Sequence, residues 1–485
     1  MTEPVYLGID LGTQSVRVLA VTGDGHVAAS ASMKLGRSVC DGIRHEQDPE
    51  EWWLATCACL RGVIKELGAQ PRVEGLAVDA TSGTILLCDD TRRALTAGLM
   101  YDDGRAREEA VQANAAGADL WSDLSYRMQP SWALPKLMWI LRNTDAPSGA
   151  RLAHQNDFIN ARLAGHWLAT DSSHALKTGY DLYRSEWPTN VMEAAGIPNE
   201  ILPDVVAPGT QIGEVGHEAA EATGLAMGVP IIAGMTDGCA AQIASGATGV
   251  GRWNTVIGTT MVLKGVTREL LRDPLGVVYS HRSMDGFWLP GGASSTGAAA
   301  IAKEFEASDL NALNEAARAG PTSVVVYPLM SKGERFPFAA PNAEGFTLGE
   351  PAGVEEKYRA VLQGIAMLER LSFEILEALG AETGGRLSIS GGAVNSGPLN
   401  QIRADVLERE LVVPAVTEGA FGMAVLVAAT QSSMAAATQR MVRIAETVSP
   451  ARSFEEYSAQ YERFVGELSK RGWLAPAALP SRGVQ

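Results

Sequence analysis

The sequence predicts an α/β protein made of two related domains, and three observations carry that prediction. The chain has 485 residues, more than one hydrophobic core usually organises. A short apolar run, a polar turn with Gly and Thr, and a second apolar run occur near residue 5 and again near residue 253. The second half then alternates strand-like and helix-like stretches, as βα units around a buried sheet do. A repeat this long is no solenoid, but it fits a duplicated pair of domains.

The elements follow in order. Residues 5–10 and 16–21 are apolar runs, and Thr22-Gly-Asp-Gly25 is a turn signal, so the chain opens as antiparallel strands. Asp48 is placed to cap a helix, Pro49 suits its first position, and the amphipathic run lasts to Gly68. Strands are expected at 73–78 and 85–88, a largely helical region at 100–225, and a buried strand at 229–233 leading into Gly-Met-Thr-Asp. The Gly-rich stretch 245–252 marks the main boundary. Beyond it, strands are expected at 253–257, 261–266, 287–289, 323–327, 387–390 and 411–413. Long helices are expected at 354–379 and 418–429. The division is therefore 1–248, 253–445, and a final helix and tail at 446–485.

Composition excludes several classes. Apolar residues make up 46% and charged residues 20%, which supports a large core rather than disorder. The net charge of −16 argues against a nucleic-acid or anionic-membrane partner. Five cysteines without a Cys-x-x-Cys pair read as reduced thiols. No signal peptide or 18-residue apolar run is visible, so a cytoplasmic location is expected. There is no Gly-Lys dipeptide for a Walker loop, no Gly-x-Gly-x-x-Gly between strand and helix, no Gly-x-Ser-x-Gly elbow and no close His pair for zinc.

Three loops share one character. Asp10-Leu-Gly-Thr-Gln-Ser15, Gly258-Thr-Thr260 and Gly391-Gly-Ala-Val-Asn395 each follow an apolar strand and offer hydroxyls, amides and Gly, as a phosphate cradle needs. Each is also compatible with an ordinary tight turn. Asp237, in Gly234-Met-Thr-Asp-Gly-Cys239, follows an apolar strand and could take a proton from a substrate hydroxyl or simply cap the next helix. Asp10 could hold a metal-bound water or structure the turn. Trp52 and Trp53 read as core packing.

Taken jointly, Tyr6-Leu-Gly-Ile-Asp-Leu-Gly-Thr-Gln-Ser-Val-Arg17, Tyr101-Asp-Asp-Gly-Arg105, Pro135-Lys-Leu-Met-Trp139, Pro230-Ile-Ile-Ala-Gly-Met-Thr-Asp237, Ile257-Gly-Thr-Thr260 and Ser390-Gly-Gly-Ala-Val-Asn395 resemble the FGGY carbohydrate kinases, in order from about residue 5 to 430. The resemblance implies two RNase H-like domains of the actin/Hsp70 ATPase type with an interdomain active-site cleft, and an enzyme using ATP and Mg²⁺. It implies Asp237 as catalytic base. It places Asp10, Gln14, Ser15, Arg17, Thr81, Ser82, Asp103 and Asp237 at the substrate, with Asp10 also toward the metal. It places Thr13, Gly258, Thr259, Gly297, Gly391, Gly392 and Asn395 at the nucleotide. Arg17 could instead be an ordinary strand-face cation.

Asp79-Ala-Thr-Ser-Gly-Thr84 stands where xylulokinases usually show Gln-Met-His-Gly. Together with His174-Ala-Leu-Lys-Thr-Gly-Tyr180, Val278-Tyr-Ser-His281, Trp288-Leu-Pro-Gly-Gly-Ala-Ser294 and Lys332-Gly-Glu-Arg-Phe-Pro337, it resembles the D-ribulokinase, xylulokinase-like subgroup. D-ribulose, phosphorylated on its terminal primary hydroxyl, is thus the first expectation. D-xylulose or another ketose or polyol is the alternative, and a non-catalytic nucleotide-gated sugar sensor a third reading. His174 and Lys177 could equally be structural. The expected partners are sugar and ATP, with a homodimer as the candidate assembly. A chaperone or actin-like filament would share the fold but need no carboxylate at Asp237.

Overall fold

The computed structural model describes residues 3–68, 72–145, 147–306 and 308–474. The chain forms two compact units that are not contiguous in sequence. The first gathers 1–246, 281–289 and 416–443, and the second 247–280, 290–415 and 444–485.

The first unit is built on a six-stranded sheet in the order Gln211–Glu214, Pro230–Ile232, Arg72–Ala80, Pro4–Leu11, Ser15–Thr22, Val27–Lys34. The middle three strands run parallel, while Ser15–Thr22 and Val27–Lys34 continue as an antiparallel meander. Leu7, Ile9, Val16, Val18, Leu76 and Val78 are all fully buried, the near-continuous apolar pattern of strands covered on both faces. Helix Pro49–Leu67 packs on the meander. Its start is set as the sequence predicts: Asp48 accepts from the Glu50 amide at 2.9 Å and Pro49 opens the first turn. Trp52 of that helix is fully buried edge-on to Phe158, as core packing requires.

Helix Gly419–Ala429 packs on Pro4–Leu11 and Arg72–Ala80 in this first unit. It is apolar on all sides and buried on all sides. Its backbone approaches the sheet so closely that a Cβ on Gly8 would overlap the Ala420 carbonyl. The division read from the sequence put this helix in 253–445. Apolar periodicity says that a helix is buried but not which sheet buries it.

The second unit repeats the plan. Its sheet runs Trp288–Ala293, which belongs to this unit from Pro290 on, then Met261–Gly265, Trp253–Ile257, Leu387–Ser390, Leu411–Pro414, Ile444–Val448. Trp253–Ile257, Met261–Gly265 and Trp288–Ala293 form the antiparallel meander. Leu387–Ser390 and Leu411–Pro414 lie parallel beside Trp253–Ile257. Ile444–Val448 closes the edge antiparallel, as Gln211–Glu214 does in the first sheet. The third segment read from the sequence, 446–485, thus begins inside a strand of this sheet. Its helix is Glu455–Lys470, and residues 475–485 lie outside the described residues. Among the described residues, no helix is long and apolar enough to cross a membrane.

Candidate active site

In parallel sheets, ligands gather beyond the carboxyl ends of the strands. In the first unit those ends carry three carboxylates. Asp10 and Asp79 are register partners on adjacent parallel strands, and Thr236, just before Asp237, bridges to Ala80 on the same strand as Asp79. Three segments from residues 10, 79 and 237 thus converge at one end of one sheet.

The three carboxylates sit in different surroundings. Asp237 is exposed and is the first residue of helix Asp237–Ala244; the N-cap is Thr236, so the capping alternative for Asp237 does not hold. One Asp237 oxygen accepts from the Gly238 amide at 2.7 Å. Asp10 is half-buried, and burial followed by the Asp237 charge raises its carboxyl to about 6. Asp79 is fully buried with both oxygens lacking a hydrogen-bond donor. Burial, then the charges of Asp10 and Asp237, push its carboxyl well above the usual range. The turn after Asp10 is closed by the Gly12 amide on the Ser15 carbonyl at 3.1 Å rather than by the Asp10 side chain.

The other expected substrate residues divide by what they touch. Gln14 is exposed and Ser15 half-buried on the same turn. Arg17 pairs with Glu418 at 2.8 Å, half-exposed on both sides, which favours its reading as a strand-face cation. The Thr81 hydroxyl is engaged with Thr84 at 2.6 Å and Gln155 at 2.7 Å, and its amide also donates to Gln155. The Ser82 hydroxyl is buried without a partner, while the Ser82 carbonyl accepts from Lys177 at 3.0 Å. Asp103 is fully buried and turned inward. Although burial alone would raise its carboxyl, Arg105 at 2.6 and 2.8 Å and the His45 amide at 2.7 Å hold it below the usual range. Asp103 therefore fixes the Tyr101-Asp-Asp-Gly-Arg105 turn, and the exposed ring of Tyr101, within the field of Asp237, is the part that faces outward. His174 is locked to Asp171 at 2.7 Å. Ser173 beside it bonds both Thr236, at 3.1 Å, and His281, at 3.0 Å, so His281 braces the segment that carries Asp237.

Sequence reasoning missed Asp79 and Tyr101 as site residues. Both lay within motifs already noticed, but an acid inside an apolar strand carries no sign of which face it occupies until its neighbours are known.

The second unit gathers its Gly-containing loops in the same way. Trp253–Ile257, Leu387–Ser390 and Trp288–Ala293 all point the same way, so residues 258–260, 391–395 and 294–297 leave one end of one sheet. Thr259, Gly392 and Asn395 are exposed, and Gly258 and Gly391 half-buried. The Ala298 amide donates to the Gly258 carbonyl at 2.8 Å. Gly297 lies so close beneath this turn that a Cβ would come within 2.6 Å of the Thr260 carbonyl carbon. Thr13, by contrast, is on the first unit's turn, where its carbonyl accepts from Gln47 at 2.7 Å.

Comparison with known proteins agrees with this geometry. The model of the N-terminal domain of the FGGY family of carbohydrate kinases matches residues 5–244, and that of its C-terminal domain matches 253–431. The xylulose kinase of Escherichia coli is 28% identical over 84% of this chain and 86% of its own. The apulose kinase of Pectobacterium atrosepticum is 27% identical over 85% and 86%. The crystal structure of the xylulose kinase from Rhodospirillum rubrum superposes with a TM-score of 0.87, covering 96% of this chain and 99% of that one at 25% identity. With a matching sheet in each half, carboxylates at the strand ends of one and Gly-containing loops at those of the other, the chain belongs to the FGGY family of carbohydrate kinases and is a sugar phosphotransferase of two actin/Hsp70-type domains that uses ATP.

Proposed function

We propose that the protein transfers the γ-phosphoryl group of ATP to the terminal primary hydroxyl of a ketopentose, with D-xylulose ahead of D-ribulose. The observation that carries the reaction is Asp237, an exposed carboxylate at the carboxyl end of the parallel strands beside Asp10. Its carboxylate takes the hydroxyl proton as the new O–P bond forms and the bond to ADP breaks. Phosphoryl transfer asks mainly for positioning and charge stabilisation, which Gly258, Thr259, Gly391, Gly392 and Asn395 supply toward the nucleotide. Gln14, Ser15 and Tyr101 lie on the turns nearest the carboxylates and supply polar contacts to the sugar.

The donor set also fits Mg²⁺. Asp10, Asp79 and Asp237 repel one another, and a divalent cation would relieve that repulsion. Among the described residues no group of three or more acidic, His or Cys side chains could hold a metal; magnesium usually binds through one or two carboxylates together with substrate phosphates and water. Asp10 would be the side chain that contacts it, and the ion would neutralise charge on the transferring group.

The choice of sugar reverses the first expectation from the sequence. D-ribulose rested on Asp79-Ala-Thr-Ser-Gly-Thr84 standing where xylulokinases show Gln-Met-His-Gly and on four further motifs, but the Thr81 hydroxyl is already engaged within the protein. The relatives named xylulose kinases favour the C3 epimer. A mispaired buried hydroxyl costs about 1–3 kcal/mol, so the preferred epimer should lead by roughly 10–200-fold in kcat/KM. Measuring ADP release with both sugars tests this, and a D-ribulose preference of that size would reverse the order. In the same assay Asp237→Asn should lower kcat at least ~100-fold with ATP affinity little changed. Near-full turnover would remove Asp237 from the role of base.

A further inference from the structure

The Lys332-Gly-Glu-Arg-Phe-Pro337 motif has no part in the reading above, yet the carboxylate of its Glu334 accepts five hydrogen bonds beside the Gly-Thr turn. Glu334 is 3% exposed. Its Oε1 accepts from the Ser295 amide at 2.5 Å and the Arg335 amide at 2.9 Å. Its Oε2 accepts from the hydroxyls of Ser294 at 3.0 Å, Thr296 at 3.0 Å and Tyr327 at 2.7 Å. Two amides and three hydroxyls therefore converge on one buried anion, and three of these five donors lie on successive residues, 294, 295 and 296. The next two residues hold the Gly-Thr turn: Gly297 packs under Thr259 and Thr260, and Ala298 bonds the Gly258 carbonyl. Arg335 reinforces the same segment through the Ser294 carbonyl and Ser295 hydroxyl, each at 3.3 Å.

We propose that Glu334 is the positioning residue of the nucleotide side, its carboxylate fixing residues 294–297 as the platform on which Gly258 and Thr259 are aimed at the phosphates. The proposal rests on the reading of that turn as a phosphate loop. A carboxylate suits the task because it only accepts, so every convergent donor is satisfied at once. An amide in its place would turn an N–H₂ toward two or three of those donors.

The test measures KM for ATP, KM for sugar and kcat in Glu334→Gln, Thr296→Val and Thr259→Ala. Glu334→Gln should raise KM for ATP by about tenfold or more, the scale of losing charge-assisted bonds, and leave KM for sugar within about twofold. Thr296→Val removes one hydroxyl donor without placing a charge or an amide in the site, and should raise KM for ATP about threefold to tenfold. Equal changes in both KM values, or a lowered unfolding temperature with kinetics unchanged, would overturn the proposal. If Glu334→Gln does not fold, an unchanged KM for ATP in Thr296→Val overturns it. A raised KM for ATP in Thr259→Ala with none in the other two variants overturns the positioning role alone. No change in any of the three overturns the phosphate-loop reading itself.

Discussion

Asp79 shows what a single side chain can cost. Its fully buried carboxyl receives no N–H from another residue, and it lies beside Asp10, its register partner on the adjacent strand. Both carboxyls are raised above their usual range by burial first and by neighbouring charge second. A carboxyl raised in the folded state favours folding while it stays protonated, and that contribution is lost as pH rises. For Asp10 the loss runs from the ordinary carboxylate range to about 6; for Asp79 it extends higher. The ligand-free protein should therefore gain stability from these groups as pH falls from neutrality toward 5. Asp79→Asn, neutral at every pH, should raise the unfolding temperature at pH 8 more than at pH 5. An equal shift at both values in thermal unfolding would show that Asp79 is not the titrating burden. The same replacement should impair turnover, because strain at a site of chemistry is commonly retained for function.

At the scale of elements, the second unit locks two helices with a buried ion pair. Arg403 on Gly397–Leu407 meets Glu369 on Val354–Ala378 through two parallel bonds of 2.6 and 2.8 Å, with both side chains fully buried. Removing one partner strands a charge in a dry interior and should cost about 3–5 kcal/mol. Glu369→Met alone should therefore lower the urea midpoint strongly. Glu369→Met combined with Arg403→Met should recover most of the loss, since apolar side chains of similar volume can replace such a pair. Urea titrations of the two variants decide the matter: a double variant no more stable than the single would mean that the pair is worth more than its desolvation. Elements of this kind were partly legible in sequence. The bounds of Trp253–Ile257 and Leu387–Ser390 agree with the sequence reading because each is a short run holding β-branched residues and is closed by Gly on its C-terminal side. The strands Val27–Lys34 and Ile444–Val448 went unread, because their exposed faces carry polar and small side chains that mimic loops.

The whole molecule depends on chain segments far apart in sequence. Helix Gly419–Ala429 covers the same strands that carry Asp10 and Asp79, so the first unit is incomplete at residue 246. A fragment of residues 1–246 expressed alone leaves an apolar sheet face bare and should be aggregated or readily proteolysed. The full chain should resist the same protease dose. A soluble fragment with a cooperative thermal transition would show that the helix is dispensable.

By itself the sequence determined the α/β class, the repeated strand–turn–strand opening and the sites of the loops at residues 10, 237, 258 and 391, since each rests on local chemistry: apolar runs, Gly, and acids after strands. Tertiary structure decided what each polar group faces. Asp103 turned inward onto Arg105, Thr81 onto Gln155 and Arg17 onto Glu418, while Asp79 and Glu334 emerged as buried carboxylates. The partners of Thr81, Arg17 and, in part, Glu334 lie tens to hundreds of positions away; that of Asp103 lies two residues on, but its burial is set by the surrounding fold, and neither is encoded in a local pattern.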